Sequence, residues 1–382
     1  MGLDVKHLGQ VFTPDFIVDK MVGLVKNNGR VLEPACGDGV FVRRFANCVA
    51  IEIDENICPD SALNMDFFDY STNNEFDTII GNPPYVRFQD IDTSTKSKLD
   101  MSLFDERTNL YLFFIHKCLQ HLSYNGELIF IVPRDWLKAT SAIKLNELLY
   151  SAGTITDIID LGDGAIFDGA CPNCVIFRFE KNNFSRVCNL TQKFRVVNGQ
   201  MLFVSGKYTV PLNDLFSVKV GAVSGADDVF VHPDGNLDFV CSKTCKTGAL
   251  RRMLYNINVP YLQQYKDRLI NRKIRKFNDE NWYMWGRDYH KSDAGRVYVN
   301  MKTRNQKPFF YNSCKAYDGS VLAIFPKFEC DEKMLKQIAD DFNDVDWAEL
   351  GFVCDGRFLF SQKSLENILL PETFAKYLFA QA

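Results

Sequence analysis

No run of eighteen apolar residues occurs in the 382-residue chain, so no membrane span is expected. Residues 1–10 carry no apolar core of the signal-peptide kind. Cysteine is present without a framework. The twelve cysteines are scattered, which predicts a reducing, intracellular setting rather than a stapled secreted domain. The only close pairs, Cys171 with Cys174 and Cys241 with Cys245, lack the further spaced ligands of a zinc site, and no metal is expected. Glycine loops of GxGxxG or P-loop spacing are missing, which argues against the usual phosphate cradles. Internal repeats and low-complexity tracts are missing as well.

What is present is an apolar fraction of 46%, enough for a substantial core, on a length that suits two domains. The net charge of −4 is uneven: residues 1–182 hold 16 Lys+Arg against 26 Asp+Glu. Residues 251–315 hold 15 basic against 5 acidic residues, which suggests a polyanion contacted on one face. Within that belt, Arg268, Arg272, Lys273, Arg275 and Lys276 are the leading phosphate-contact candidates, with Tyr261, Tyr265, Trp282, Tyr283, Trp285 and Tyr289 interleaved.

Residues 1–180 alternate strand-like and helix-like segments. Strands are expected at Val31–Glu33, Val49–Asp54, Phe76–Gly81, Leu128–Val132, Ile155–Leu161 and Cys174–Phe179. Helices are expected at Val40–Ala46, Asn109–Leu122 and Ala139–Tyr150, the last ended by Gly153. Such alternation predicts an α/β, doubly wound sheet, whose ligands bind beyond the carboxyl ends of the strands. After about Asn182 the strands shorten and turn residues thicken. A boundary between Glu180 and Asn198 gives domains 1–182 and 183–382, the second of mixed α+β texture.

The chemistry gathers at the strand ends. In Phe76-Asp77-Thr78-Ile79-Ile80-Gly81-Asn82-Pro83-Pro84-Tyr85, Pro83 bars Asn82 from helix, and the two prolines offer carbonyls without N–H groups. The Asn82 side-chain oxygen and the Pro83 carbonyl are two acceptors suited to the two N–H bonds of an exocyclic amine, and Tyr85 supplies a flat surface. Glu33-Pro34-Ala35-Cys36-Gly37-Asp38-Gly39 follows a strand, with glycines that let backbone approach a ligand. Its acid suits an amino-bearing ligand better than a phosphate. Glu52 ends the next strand, where an acid can take ribose hydroxyls. Asp66-Phe67 pairs a carboxylate with an aromatic face, which fits an adenine ring.

Together these motifs resemble those of the amino-type DNA methyltransferases, and within them the gamma, TaqI-like arrangement of adenine-N6 enzymes with an Asn-Pro-Pro-Tyr motif. Gly9-Gln10-Val11-Phe12-Thr13-Pro14, Asn109-Leu110-Tyr111 and Gly126–Trp136 carry the resemblance further. It implies a Rossmann-like methyltransferase sheet followed by a target-recognition domain, with S-adenosyl-L-methionine as cofactor and S-adenosyl-L-homocysteine as product. The implied cofactor residues are Phe12, Thr13, Glu33, Ala35, Cys36, Gly37, Glu52, Ile53, Asp66, Phe67, Asn82 and Pro84. Asn82, Pro83, Tyr85 and Phe167 are implied as catalytic, the two rings enclosing a base flipped from double-stranded DNA. A monomer is expected, a cognate restriction endonuclease is an allowed partner, and no membrane is. Cys171-Pro172 reverses the Pro-Cys of cytosine-C5 enzymes and reads as structural. The motif leaves open methylation of RNA adenine, of cytosine N4 and of a protein glutamine amide. It also leaves open a non-enzymatic nucleic-acid-binding module.

Overall fold

The computed structural model describes residues 9–162, 173–354 and 356–378, which fall into two compact units, Met1–Gly206 and Lys207–Ala382. The first is built on seven strands: β1 (Val31–Glu33), β2 (Cys48–Glu52), β3 (Leu63–Asn64), β4 (Phe76–Gly81), β5 (Leu122–Pro133), β6 (Gly153–Asp160) and β7 (Cys174–Lys181). Their order is β3-β2-β1-β4-β5-β7-β6. All neighbours are parallel except at β7, which is antiparallel to both β5 and β6. Strand order reverses between β1 and β4, the crevice position at which open α/β sheets hold ligands.

The helices explain why the strands are apolar on both faces. α1 (Asp15–Val22) buries Ile17, Val18 and Met21 beneath Val31, Ile80, Ile129 and Ile131. α2 (Thr93–Lys96) is a single turn capped by Asp92. α3 (Leu110–His121) is buried almost all round, and its Phe113, Phe114 and Cys118 join Leu128, Phe130 and Phe177 in one cluster. α4 (Ile143–Ala152) seats Leu145 and Leu149 in the same cluster.

Several local expectations change. The helix expected over Val40–Ala46 is one 3₁₀ turn, Val42–Arg44. The Asn47 carbonyl must accept from the Val31 N–H (3.1 Å), so the chain is already extended at Phe45. Gly153 does not end α4 in a left-handed cap. Its φ of 172° is extended, and a Cβ there would strike the Glu180 carbonyl oxygen. Close approach of β6 to β7, rather than helix termination, is what requires glycine. The sequence texture shifts near residue 182, yet the compact unit runs to Gly206. Three antiparallel strands, β8 (Val187–Cys188), β9 (Gln192–Val197) and β10 (Gln200–Val204), bury Cys188, Phe194 and Met201 in the first unit's core.

The second unit centres on a four-stranded sheet ordered Phe216–Val220, Val321–Pro326, Val297–Asn300 and Phe309–Tyr311. Two of the aromatics expected among exposed cations are core: Trp282 and Trp285 are buried with Phe230 and Phe239. Arg272 is likewise buried, a correction to its reading as a phosphate contact. Among the described residues no helix is long and apolar enough to cross a membrane.

One polar knot fixes the edge of the first sheet opposite the strand carboxyl ends. Glu127, fully buried, accepts from Arg178 Nε (2.6 Å), Thr78 Oγ1 (2.9 Å) and the Asn27 N–H (2.9 Å). It thereby joins β4, β5, β7 and the chain leaving α1. Removing one partner of a buried pair strands the other charge. Arg178→Met is therefore expected to lower the free energy of unfolding by about 3–5 kcal/mol, read from urea denaturation, and a loss below about 1 kcal/mol would show the pair to be dispensable.

Candidate active site

The carboxyl ends of β1, β2 and β4 open on a pocket of about 850 Å³, continuous with solvent, wholly within the first unit. Phe12, Ala35, Gly37, Glu52, Ile53, Asp66, Phe67, Asn82 and Pro84 all line it, so strand order brings together most of the residues the sequence singles out. Thr13, Glu33 and Cys36 stand behind the lining, each nearly inaccessible. Pro83 is buried and Tyr85 half-buried beside it. Phe167 lies outside the described residues. The flanking positions Asp160 and Cys174 sit at the same sheet edge as Asn82.

Asn82 is the best-defined group. Its Nδ2 donates to the Val11 carbonyl (3.3 Å) and to Thr13 Oγ1 (3.2 Å). Its Oδ1 is buried and has no hydrogen-bond partner among the described residues. These contacts fix the orientation of the amide in the pocket wall. The segment that makes them is pressed tightly onto the loop: a Cβ on Gly9, at φ +64°, would lie 2.8 Å from the Tyr85 nitrogen. Gln10 Nε2 then ties the segment to Asp54 Oδ2 (2.7 Å) beyond β2. The Tyr85 hydroxyl donates to the Ile131 carbonyl (2.8 Å), and its ring meets Tyr111 edge-on at 5.8 Å.

Two carboxylates, Glu52 and Asp66, line the pocket, and a third, Glu33, is buried behind it. Glu33 is 1% exposed, and its Oε2 lacks a partner among the described residues. Burial drives its pKa well above the ordinary value, the Val42 backbone N–H opposing. Glu52 is also pushed up by burial, against backbone hydrogen bonds from Asp54 and Gly37. Its Oε2 accepts from the Gly37 N–H (2.7 Å) and its Oε1 from that of Asp54 (2.9 Å), so Glu52 shapes the turn in which Gly37 adopts φ +52°. Asp66 caps a 3₁₀ turn by accepting from the Phe68 N–H (2.9 Å). Its other oxygen accepts from Thr95 Oγ1 (2.8 Å) and Lys98 Nζ (3.1 Å). Cys36 is a buried thiol with its pKa raised by desolvation, unsuited to act as a nucleophile.

The wall beside Asp66 was only partly foreseen. Phe68, Ile91, Thr95 and Phe114 line it with Phe67. Phe67 stacks on Phe114 at 5.1 Å, and its carbonyl accepts from Lys117 Nζ (2.6 Å), a lysine whose pKa burial lowers to about 8. No motif announces these residues; the helical spacing of α3 marks Phe114 as core without indicating that it borders a pocket.

Residues 43–167 match the family model of the Eco57I restriction-modification methylase. The chain is 33% identical over 221 residues to the type II methyltransferase M.HincII of Haemophilus influenzae, covering 53% of this chain and 44% of that one. It is 34% identical over 198 residues to M.TthHB8I of Thermus thermophilus, covering 46% of each. Among solved structures, the type IIL restriction-modification enzyme MmeI in complex with DNA superposes with a TM-score of 0.56 at 13% identity, over 98% of this chain and 71% of that one. The fold is that of a methyltransferase. The motif-based resemblance to DNA methyltransferases is thus met by the family model and the curated relatives. The chain spans less than half the length of the two curated relatives.

A buried carboxyl whose folded pKa lies above its unfolded one binds protons more tightly in the native state. Stability is then greatest below the unfolded pKa and falls as pH rises through the window up to the folded pKa. Glu33→Gln removes that titration. The urea midpoint of the wild type should fall with rising pH through this window, and that of Glu33→Gln should fall less. Parallel curves would remove Glu33 as the source.

Proposed function

We propose that the chain is an S-adenosyl-L-methionine-dependent DNA methyltransferase acting on the N6 amine of an extrahelical adenine. The observation that carries this reading is the Asn82 amide, with Nδ2 held by Val11 and Thr13 while buried Oδ1 is left unpartnered at the pocket. An acceptor presented in that way, beside the Pro83 carbonyl, suits a neutral amine with two N–H bonds. Both acceptors engaged would draw the amine nitrogen from planar towards tetrahedral and free its lone pair.

The pocket fits the cofactor. The Gly37 turn leaves room for close backbone approach. The orphan Glu33 Oε2 suits the ammonium end, Glu52 the ribose hydroxyls, and Asp66 with Phe67 the adenine. Phe12, Ala35, Ile53 and Pro84 supply apolar walls, and Thr13 and Cys36 act from behind. When bound, the sulfonium supplies an activated methyl group and leaves as S-adenosyl-L-homocysteine. The chain's residues position and desolvate the reacting amine, with no covalent enzyme intermediate and no nucleophilic cysteine. Stacked bases cannot reach Asn82 in a duplex, so the adenine must be flipped out. Tyr85, oriented by Ile131 and Tyr111, and Phe167 are the proposed stacking rings. Restriction-modification as the setting, an endonuclease partner and a monomeric state belong to the same proposal.

Tritiated methyl transfer offered DNA, RNA and protein, followed by nucleoside analysis, should return N6-methyladenine from duplex DNA; label in N4-methylcytosine, RNA or glutamine would refute this reading. Asn82→Ala should abolish transfer even at saturating cofactor, with cofactor affinity by calorimetry reduced far less than turnover. Near wild-type turnover in that variant would remove Asn82 from the chemistry. Glu52→Ala should weaken cofactor binding by about 1–3 kcal/mol, and unchanged affinity in the folded variant would refute its assignment.

A further inference from the structure

Six of the fifteen cations between residues 251 and 315 are paired with carboxylates within the second unit. Arg251, Arg252, Lys266, Arg268, Lys291 and Lys315 each face an aspartate within 3.1 Å. Arg296 is buried and donates to the Ser292, Ala294 and Lys315 carbonyls. The unit as a whole is close to neutral, with 25 Lys+Arg against 22 Asp+Glu over residues 207–382. Arg268 and Arg272 therefore leave the list of free phosphate contacts, the first through its bidentate pairing with Asp228.

The loop that follows Lys266–Ile270 behaves differently. Arg272 turns inward and donates to the Leu269 carbonyl (2.8 Å), to those of Trp282 (2.6 Å) and Met284 (2.8 Å), and to that of Ser224. Its guanidinium lies 3.9 Å from the centre of the Phe277 ring. Burial lowers its pKa to about 10, still far above neutrality. Two residues on, Ile274 is 42% exposed, yet its inner side lies against two glycines: a Cβ on Gly225 would lie 2.6 Å from its Cδ1 and one on Gly286 2.5 Å from its Cγ2. A loop without helix or strand is thus pinned by an arginine and an isoleucine. Lys273, Arg275 and Lys276 alternate with those anchors, are exposed, and have no carboxylate partner among the described residues. Arg275 rests near the Phe277 ring at 5.0 Å.

Three like charges held within four residues repel one another, and an ordered loop denies them the freedom to spread. Six cations of the same belt are each given an aspartate; these three, held together in one anchored loop, are not. We propose that Arg272–Phe277 is a preorganised clamp for the phosphate backbone of duplex DNA. Arg272 and Ile274 are its anchors, and Lys273, Arg275 and Lys276 make the contacts. The inference rests on the DNA reading above and assigns the partner's backbone, not its bases, to this loop. Preorganisation lowers the ordering cost that long cationic side chains otherwise incur on binding.

Each phosphate neutralised contributes about −0.9 to the slope of log affinity against log salt. The test measures anisotropy of labelled mixed-sequence duplex DNA across a salt series. It compares wild type with the triple variant Lys273→Gln, Arg275→Gln, Lys276→Gln. The variant's slope should be shallower by about 1.8–2.7, for two to three phosphates, so that the affinity lost between about 50 and 200 mM salt shrinks about 12- to 40-fold. Cofactor affinity should be unchanged. Lys302→Gln, Arg304→Gln, Lys307→Gln is the charge-matched control on another exposed stretch. An unchanged slope in the first variant, or an equal drop in both, overturns the clamp while the DNA reading stands. Wild type that fails to bind duplex DNA, or prefers single-stranded RNA, overturns both. Ile274→Gly keeps every charge and frees the anchor; it should weaken duplex binding several-fold, and unchanged affinity would refute preorganisation.

Discussion

An amide side chain has two ends, and in this fold Asn82 has one of them satisfied and the other bare. The Val11 carbonyl and Thr13 hydroxyl accept from its nitrogen, and among the described residues the buried oxygen receives no hydrogen bond. A buried acceptor left unsatisfied costs about 1–3 kcal/mol, and the surrounding sheet has to sustain that cost. It does so with a core in which β4, β5 and β7 are almost entirely inaccessible. The same reasoning extends to Glu33. A desolvated carboxyl lacking a partner at one oxygen is tolerable in a site that a polar or cationic group completes, and unfavourable anywhere else.

The two ends of the sheet treat their buried acids in opposite ways. At the amino ends, Glu127 is compensated by Arg178, a hydroxyl and backbone amides, and there the acid is structural. At the carboxyl ends, Glu33 and Glu52 are raised by burial, Glu52 in the wall of the pocket and Glu33 behind it. Both acids belong to one sheet. What separates architecture from candidate chemistry is whether the partners are already present.

Much of the first unit was legible because its information is local. The apolar run Ile79–Ile80 and the block Gly81-Asn82-Pro83 give β4 and its abrupt end without reference to any other segment. The acids Glu33, Glu52 and Asp66 could be ordered along the pocket because a doubly wound sheet places successive strand ends side by side. What escaped depends on distant pairings. The crossover at Val42–Arg44 is short because Val31 needs the Asn47 carbonyl, a requirement invisible in the segment itself. Thr95 and Phe114 reach the pocket only after α2 and α3 dock. In the second unit, arginines that look alike in the sequence divide into a buried hub at Arg272, a paired Arg268 and an exposed Arg275, because aspartates and carbonyls come from remote turns.

The segment from Gly9 to Thr13 has neither helix nor strand, and it reaches Asn82 across 71 and 69 positions of chain. Segments of this kind open at free energies well below that of global unfolding. Once it lifts away, the amide is released to rotate and the sheet remains intact. Catalytic competence and foldedness thus become separable properties of the molecule. Moderate denaturant would abolish the proposed methyl transfer while far-ultraviolet dichroism still reported a native sheet. Hydrogen exchange would then find the Tyr85 amide, against which Gly9 is pressed, exposed earlier than its neighbours in β4.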